Sequence, residues 1–419
     1  MASPAHESNA LVLAATLTVQ SLVALALLTL PVVAPMVAAS MGIASAYAGL
    51  YVAITYAGAM LASLGAGAAV RRFGAIRLSQ VGMVLCAAGL LLCTLPSLVT
   101  MAAGAVLLGL GYGPITPSSS HLLARTTPAH RMSLVFSLKQ TGVPLGGLLA
   151  GLIVPGLATV IGWQAAFATI AVANLACALA IQPLCAGLDA DRDPQQRLTL
   201  GQGLAGPLRM VFTHRALTVL AAVSFLFSIA QLSLMTYLVS FLHEDLAVSL
   251  IQAGVLLSVA QGAGVGGRLL WGYVADRFLG AASMLAVLSA IIIVCALAMP
   301  LMAWVDTTSV MVVVLLLFGA SAIGWNGVYL AEVARQAPPG MASVATGGTL
   351  AMTFLGVVVG PPLFGLVAGL GAGYGLAYAG LILPAGICLA LLWRYRRAFV
   401  QSTVIQGDDA ASASGRRVR

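Results

Sequence analysis

Residues 48–73, AGLYVAITYAGAMLASLGAGAAVRRF, and residues 253–278, AGVLLSVAQGAGVGGRLLWGYVADRF, are two versions of one pattern. Ala48-Gly49, Gly67 and Arg72-Phe73 recur as Ala253-Gly254, Gly272 and Arg277-Phe278, each pair 205 residues apart. Gly109, Arg125 and Pro128 recur as Gly319, Arg335 and Pro338 at an offset of 210. Gly162-Trp163 with Phe167 recurs as Gly373-Tyr374 with Tyr378 at an offset of 211. Glycine is common in the chain, so a single match carries little. Matches in one order at nearly constant offsets identify an internal repeat.

The composition says where such a repeat would reside. Of 419 residues, 61% are apolar and 7% charged, with 46 Gly and a mean hydropathy of +1.05. A soluble domain carries roughly 25% charged residues, and disorder requires low hydrophobicity with high charge. Both classes are excluded. The net charge of +8 comes from arginines and a single lysine scattered between apolar runs, which form no basic patch for nucleic acid.

A helix that crosses a bilayer needs about 20 mostly apolar residues, and a charge near its centre is costly. The charge-free runs are 8–70, 78–124, 140–188, 216–243, 246–267, 278–305, 307–331 and 336–393. The four longest each hold two crossings with a turn between them, near Ala39–Ala46, Leu95–Thr100, Pro155–Gly162 and Gly369–Gly373; the others hold one each. Twelve helices result, at about 10–38, 45–70, 76–95, 98–124, 132–155, 161–183, 214–242, 249–275, 280–300, 308–335, 341–369 and 372–395. The fold class is an all-α membrane protein of two pseudo-symmetric six-helix bundles. Residues 1–183 form the first bundle, 184–213 a cytoplasmic linker (with DADRDPQQR at 189–197), 214–396 the second bundle and 397–419 a cytoplasmic tail.

Lys/Arg asymmetry sets the orientation. One side receives Arg71, Arg72, Arg77, Arg125, Arg131, Arg192, Arg197, Arg209, Arg215, Arg277, Arg335 and the cluster from Arg394 to Arg419. The opposite loops hold only Glu244, Asp245 and Asp306. Both termini are therefore expected in the cytoplasm, in the plasma membrane (the inner membrane of a bacterium). The first nine residues, MASPAHESN, have no basic n-region, so no cleaved signal peptide is expected. The six cysteines lie in or at the ends of helices without a CxxC or Cys/His cluster, and read as apolar packing residues.

A parallel six-plus-six repeat with a central loop is the architecture in which two halves rock about a midplane site. The second copy carries Gly272-Tyr273-Val274-Ala275-Asp276-Arg277-Phe278 with Gly280 following; the first reads Gly67-Ala68-Ala69-Val70-Arg71-Arg72-Phe73-Gly74-Ala75-Ile76-Arg77. On these residues the chain resembles the major facilitator superfamily along essentially its whole length. That family carries G-x-x-x-D-R-x-G-R-like residues between helices two and three, and between eight and nine. The resemblance implies a cytoplasmic gating latch at Asp276 and Arg277, and at Arg71 and Arg72, with Arg125 and Arg335 beside them. The first copy departs from the pattern, with Arg71 where the family has Asp. Helix four departs as well: Ala105 precedes Gly109-Leu110-Gly111-Tyr112-Gly113 where proton-coupled members have Arg. Helix five reads Gly142-Val143-Pro144-Leu145-Gly146-Gly147, an antiporter-like G-P-x-x-G-G with its proline displaced by one residue.

Ionisable groups inside helices are functional candidates by default. Arg268 lies eight residues before Asp276, about 12 Å deeper along helix eight, where a guanidinium suits a planar anion. Arg268-Leu269-Leu270-Trp271-Gly272 resembles helix eight of monocarboxylate and oxalate/formate transporters, in which an arginine four residues before the motif glycine binds substrate carboxylate. The other reading is a structural arginine that snorkels to the surface or pairs with Glu332 or Asp276. Lys139, at the start of helix five, is either a second cation for an anion or an interfacial lysine. Glu332 and Arg335 are spaced for an intrahelical pair, and Glu332 is the acid available for proton coupling. His121 and Arg125, one turn apart, read as gate or packing. Gln20 and Gln231 correspond at offset 211 on helices one and seven, and Tyr56 and Gln261 at offset 205 on helices two and eight. With Tyr237, Trp325 and Asn326 they are candidates for the cavity wall, with helix packing as the alternative.

The expected function is secondary transport of a small organic anion, a carboxylate, by alternating access, with the protein acting as a monomer. The alternative is an efflux carrier for apolar or cationic compounds. A membrane enzyme would show clustered nucleophile, base or metal ligands. No HExxH, GxSxG or Walker sequence is present. No enzymatic activity, cofactor, metal or nucleic-acid partner is therefore expected; the partners are the bilayer and a small-molecule substrate.

Overall fold

A computed structural model describes residues 4–128, 131–196, 198, 205–304, 308–338 and 341–395. Arg197, Asp306 and the arginines after Tyr395 lie outside the described residues, whereas Arg394 lies within them. Among those described, twelve helices are long and apolar enough to cross a membrane. They are α1 (Asn9–Val32), α2 (Ser45–Phe73), α3 (Ala75–Cys93), α4 (Leu98–Thr126), α5 (Val135–Ile161), α6 (Trp163–Leu188), α7 (Arg215–Asp245), α8 (Leu250–Leu279), α9 (Ala281–Trp304), α10 (Ser309–Gln336), α11 (Val344–Gly371) and α12 (Gly373–Tyr395).

The crossings match the expected ones in number and order, but several are not continuous. Helix one was expected to run to residue 38. It stops at Val32 and restarts as Ala34–Met41, because Pro31 and Pro35 have no N–H to donate to the turn before them. Gly42, at φ +66°, ends the second piece. α4 is two helices, Leu98–Tyr112 and Ile115–Thr126, meeting at Gly113-Pro114. At the repeat-related place α10 breaks between Ala322 and Asn326. Helix five breaks once, at Thr141, between Met132–Gln140 and Gly142–Ile161. The pieces nearer the arginine-rich loops, Ile115–Thr126, Met132–Gln140 and Asn326–Gln336, are markedly more polar than the pieces they join, a change that the gaps between charges do not register.

Each six-helix group packs through its own pairs, α1 on α5, α2 on α4 and α3 on α4 in the first, α7 on α11 and α8 on α10 in the second. The groups meet through α5 against α8 and α2 against α11, which the repeat relates to each other. Small residues bring backbones together there. A Cβ on Gly151 would sit 2.4 Å from the Gly254 carbonyl oxygen, and one on Gly254 would sit 2.3 Å from that of Gly151. Ser258 Oγ crosses the same seam to donate to the Leu148 carbonyl at 2.8 Å.

Candidate functional site

The two groups enclose a cavity of about 400 Å³. Its wall is formed by Tyr56, Met60, Ser63 and Leu64 of α2, Tyr112, Gly113, Thr116 and Pro117 of α4, and Gln140 and Val143 of the helix-five region. The second group adds Ser228, Gln231 and Leu232 of α7, Arg268 of α8, Asn326 of α10, and Leu350, Phe354 and Val357 of α11. These residues lie in the parts of their helices nearer the arginine-rich loops, so the cavity opens to that side. The other side is sealed. Tyr237 donates to the carbonyls of Ala46 at 2.8 Å and Pro361 at 3.0 Å, and the Ser45 and Tyr374 hydroxyls meet at 2.5 Å. A second crevice, of about 440 Å³, lies among α1, α2 and α4 on the sealed side and is almost wholly apolar. It carries no charged group, so the chemistry belongs to the central cavity.

Arg268 is the charged residue on the cavity wall, and it is half-buried. Its guanidinium makes no ion pair among the described residues. Instead Nη1 donates to the Gln140 carbonyl at 2.5 Å, and Nε donates to the Ile323 carbonyl at 3.3 Å, in the break of α10. Pairing with Glu332 is not seen, because that carboxylate is held by Arg335 at 2.8 Å and by Gln336 Nε2 at 2.7 Å. Asp276 is exposed on the widened last turn of α8.

Lys139 is not at an interface with water. It is 1% exposed, and its Nζ has no hydrogen-bond partner among the described residues. It lies within electrostatic range of Arg268. Gln20 is fully buried, accepts from Thr116 Oγ1 at 3.3 Å, and leaves Nε2 without a partner among the described residues. The structure thus places a second cation and a free amide donor behind the wall rather than on it. Gln261 is also behind it, packed against Gly147 with both amide atoms unpartnered among the described residues.

The polar candidates of the second group come together. Gln231 Oε1 accepts from Trp325 Nε1 at 2.9 Å and from Asn326 Nδ2 at 3.3 Å. Trp325 is buried and stacks on Phe227 at 5.1 Å, so it buttresses Gln231 from behind while Gln231 and Asn326 line the cavity. Across the cavity Tyr56 meets Tyr112 edge-on at 5.8 Å and Phe354 at 6.4 Å. Tyr112 and Phe354 were not read from the sequence; an isolated aromatic residue in an apolar run gives no sign of which way it faces.

At the arginine-rich ends the first group supplies its missing carboxylate from the linker. Asp189 caps the N-terminus of α3, accepting from Ile76 N at 2.8 Å and Arg77 N at 3.0 Å. Asp191 pairs with Arg125 at 2.5 Å and His121 Nε2 at 2.7 Å, while Arg125 also donates to the Leu188 carbonyl. Asp193 N donates to the Arg71 carbonyl at 2.7 Å. The Asp191 carboxyl, outside the membrane spans, is pushed up by partial burial. The His121 hydrogen bond and the Arg125 charge outweigh this and hold it below its usual 3.8. The signal for this arrangement was available: an acid-dense DADRD follows helix six directly, in a chain lacking the acid at position 71. The motif glycines Gly67 and Gly272 have open space where a Cβ would stand, so close packing does not require them here.

A twelve-helix membrane fold with a cavity between two related halves, closed at one end, defines a membrane transporter. The Major Facilitator Superfamily model matches residues 16–361, and the chain belongs to that superfamily. It is 27% identical over 260 residues to an uncharacterized MFS-type transporter of Mycobacterium tuberculosis (strain CDC 1551 / Oshkosh). That alignment covers 61% of this chain and 56% of the relative, little over half its length. Among solved structures, a bacterial homolog of the human lysosomal transporter Spinster, inward-facing and occupied, superposes with a TM-score of 0.77 at 15% identity, covering 96% of this chain and 99% of that one. The unoccupied inward-facing form gives 0.74 at 16% identity, with the same coverage. A D-xylose-proton symporter gives 0.66 at 15% identity, covering 92% and 97%. At these identities the likeness is one of fold.

Proposed function

We propose that the protein is a secondary carrier of a small organic anion, a carboxylate, and works as a monomer by alternating access across the plasma membrane, the inner membrane of a bacterium. The observation that carries this reading is Arg268, a guanidinium on the cavity wall whose partners are backbone carbonyls. A carboxylate brings an opposite charge and two oxygens that match the planar guanidinium fork, which a neutral carbonyl does not. With both termini cytoplasmic, the cavity faces inward. An anion entering from that side meets Arg268 first, with Lys139 and Gln20 Nε2 behind it as further donors. Gln231, Asn326 and Tyr56 orient the rest of the molecule, and Phe354, Val357 and Leu232 cover its apolar part. The likeness of residues 268–272 to helix eight of monocarboxylate and oxalate/formate transporters supports the same assignment. Asp276, Arg277, Arg71, Arg72, Arg125 and Arg335 then belong to the cytoplasmic gate. A coupling proton would fall to Glu332, whose ion pair with Arg335 serves the structural role equally well.

The other reading, efflux of apolar or cationic compounds, is compatible with the apolar wall. For a cation it lacks an acid, since no carboxylate lines the cavity among the described residues. The test is uptake of carboxylates into proteoliposomes. Arg268→Ala should lower uptake at least tenfold, on the order expected when one partner of a buried charge pair is removed, with the protein still folded. Undiminished uptake by that variant would contradict the reading.

A further inference from the structure

We infer that Pro144 positions Arg268 for its anion by leaving the guanidinium a backbone carbonyl to anchor on. The inference rests on the anion-carrier reading for its functional consequence, but not for its structural core. In an α-helix the carbonyl of residue i accepts from the N–H of residue i+4, and proline has none to give. Pro144 therefore leaves the Gln140 carbonyl without its helical donor at the point where helix five breaks. The neighbouring carbonyls are provided for locally. Leu138 accepts from Thr141 N at 3.1 Å and Thr141 Oγ1 at 2.6 Å, and Thr141 accepts from Leu145 N at 2.9 Å. Gln140 accepts instead from Arg268 Nη1, which comes from the other six-helix group. The second acceptor of Arg268, Ile323, also lies at a helix break. The guanidinium thus bridges two interrupted helices, one in each half, and holds the halves together beside the cavity.

Nη1 and Nε each give one N–H to a carbonyl, which leaves the second Nη1 N–H and both on Nη2, unbonded among the described residues, to take an anion while Gln140 stays in place. The two carbonyls hold the guanidinium on the cavity wall, and Pro144 frees one of them for that purpose. Pro144 is a positioning residue: it acts on substrate through Arg268.

A double-mutant cycle on purified protein without ligand tests the structural core. In the native background Arg268→Ala leaves the Gln140 carbonyl bare and lowers the apparent Tm. In the Pro144→Ala background residue 144 donates to that carbonyl, and the same change should lower Tm by less than half as much. Pro144→Gly also restores the N–H but not helix stiffness, and should show the same coupling. Additive Tm changes in both backgrounds overturn the inference. Binding of acetate, lactate and succinate tests the consequence. Pro144→Ala and Pro144→Gly should each bind the tightest of the three at least threefold more weakly than the native chain. If Arg268→Ala abolishes binding while both Pro144 variants match the native affinity, the inference falls and the anion reading stands. If Arg268→Ala binds as the native chain does, the anion reading fails, and the Tm cycle still decides the role of Pro144.

Discussion

Arg268 was legible because a charge inside an apolar helix stands out at once; what it touches was not, because its partners are carbonyls freed by helix breaks. Lys139 was legible as an embedded cation, but its burial was not, since depth near a helix end depends on neighbours far away in sequence. The Gln231–Trp325–Asn326 cluster joins residues that the sequence singled out separately. Their meeting depends on α7 packing beside α10. At this scale Gly74 gives a sharp test. It sits at φ +97°, and a Cβ there would be 2.3 Å from Asp189 Cγ. Gly74→Ala should destabilise by about 1–3 kcal/mol, the cost of a sparsely populated backbone conformation, seen as a lower apparent Tm and faster proteolysis of the linker. Gly67→Ala, inside a helix with open space at its Cβ, serves as the control and should neither lower Tm nor speed proteolysis of the linker.

At the scale of elements, the twelve crossings followed from the gaps between charges, while the breaks in α4, α5 and α10 did not. One piece of each broken helix is distinctly more polar than the other, but polarity within a span marks a face on the cavity or bundle interior as readily as it marks a break. The linker acids show the opposite case. Their composition suggested a solvated connection, yet the Asp189 and Asp191 carboxylates fasten the ends of α3 and α4, and the Asp193 backbone N–H that of α2. Because Asp191 titrates below 3.8 when folded, its contribution is fully present above about pH 4 and is lost as acidification passes through the folded value. Thermal stability and linker protection of the native protein should therefore fall on acidification below about pH 4. In Asp191→Asn the step should be smaller, with stability already reduced at pH 7. An unchanged acid profile in that variant would show that the clasp contributes nothing.

For the molecule as a whole, the offsets of 205 to 211 residues read the two-fold relation of the halves, which reappears in the pairs α5–α8 and α2–α11 at their interface. What the repeat could not show is where the halves differ. The first half draws its acid from the linker and carries Lys139 behind the cavity; the second carries Arg268 on the wall and the Glu332–Arg335 pair at the end of α10. On the proposed reading, substrate recognition is built on this asymmetry. The most direct measurement is a thermal-shift titration of the purified protein with small carboxylates, since a ligand that binds only the folded state raises apparent stability, by about 2.7 kcal/mol at one hundred times its Kd. Native protein should show a saturable rise in Tm that Arg268→Ala lacks. An equal rise in both proteins would contradict the assignment of Arg268 as the anion ligand.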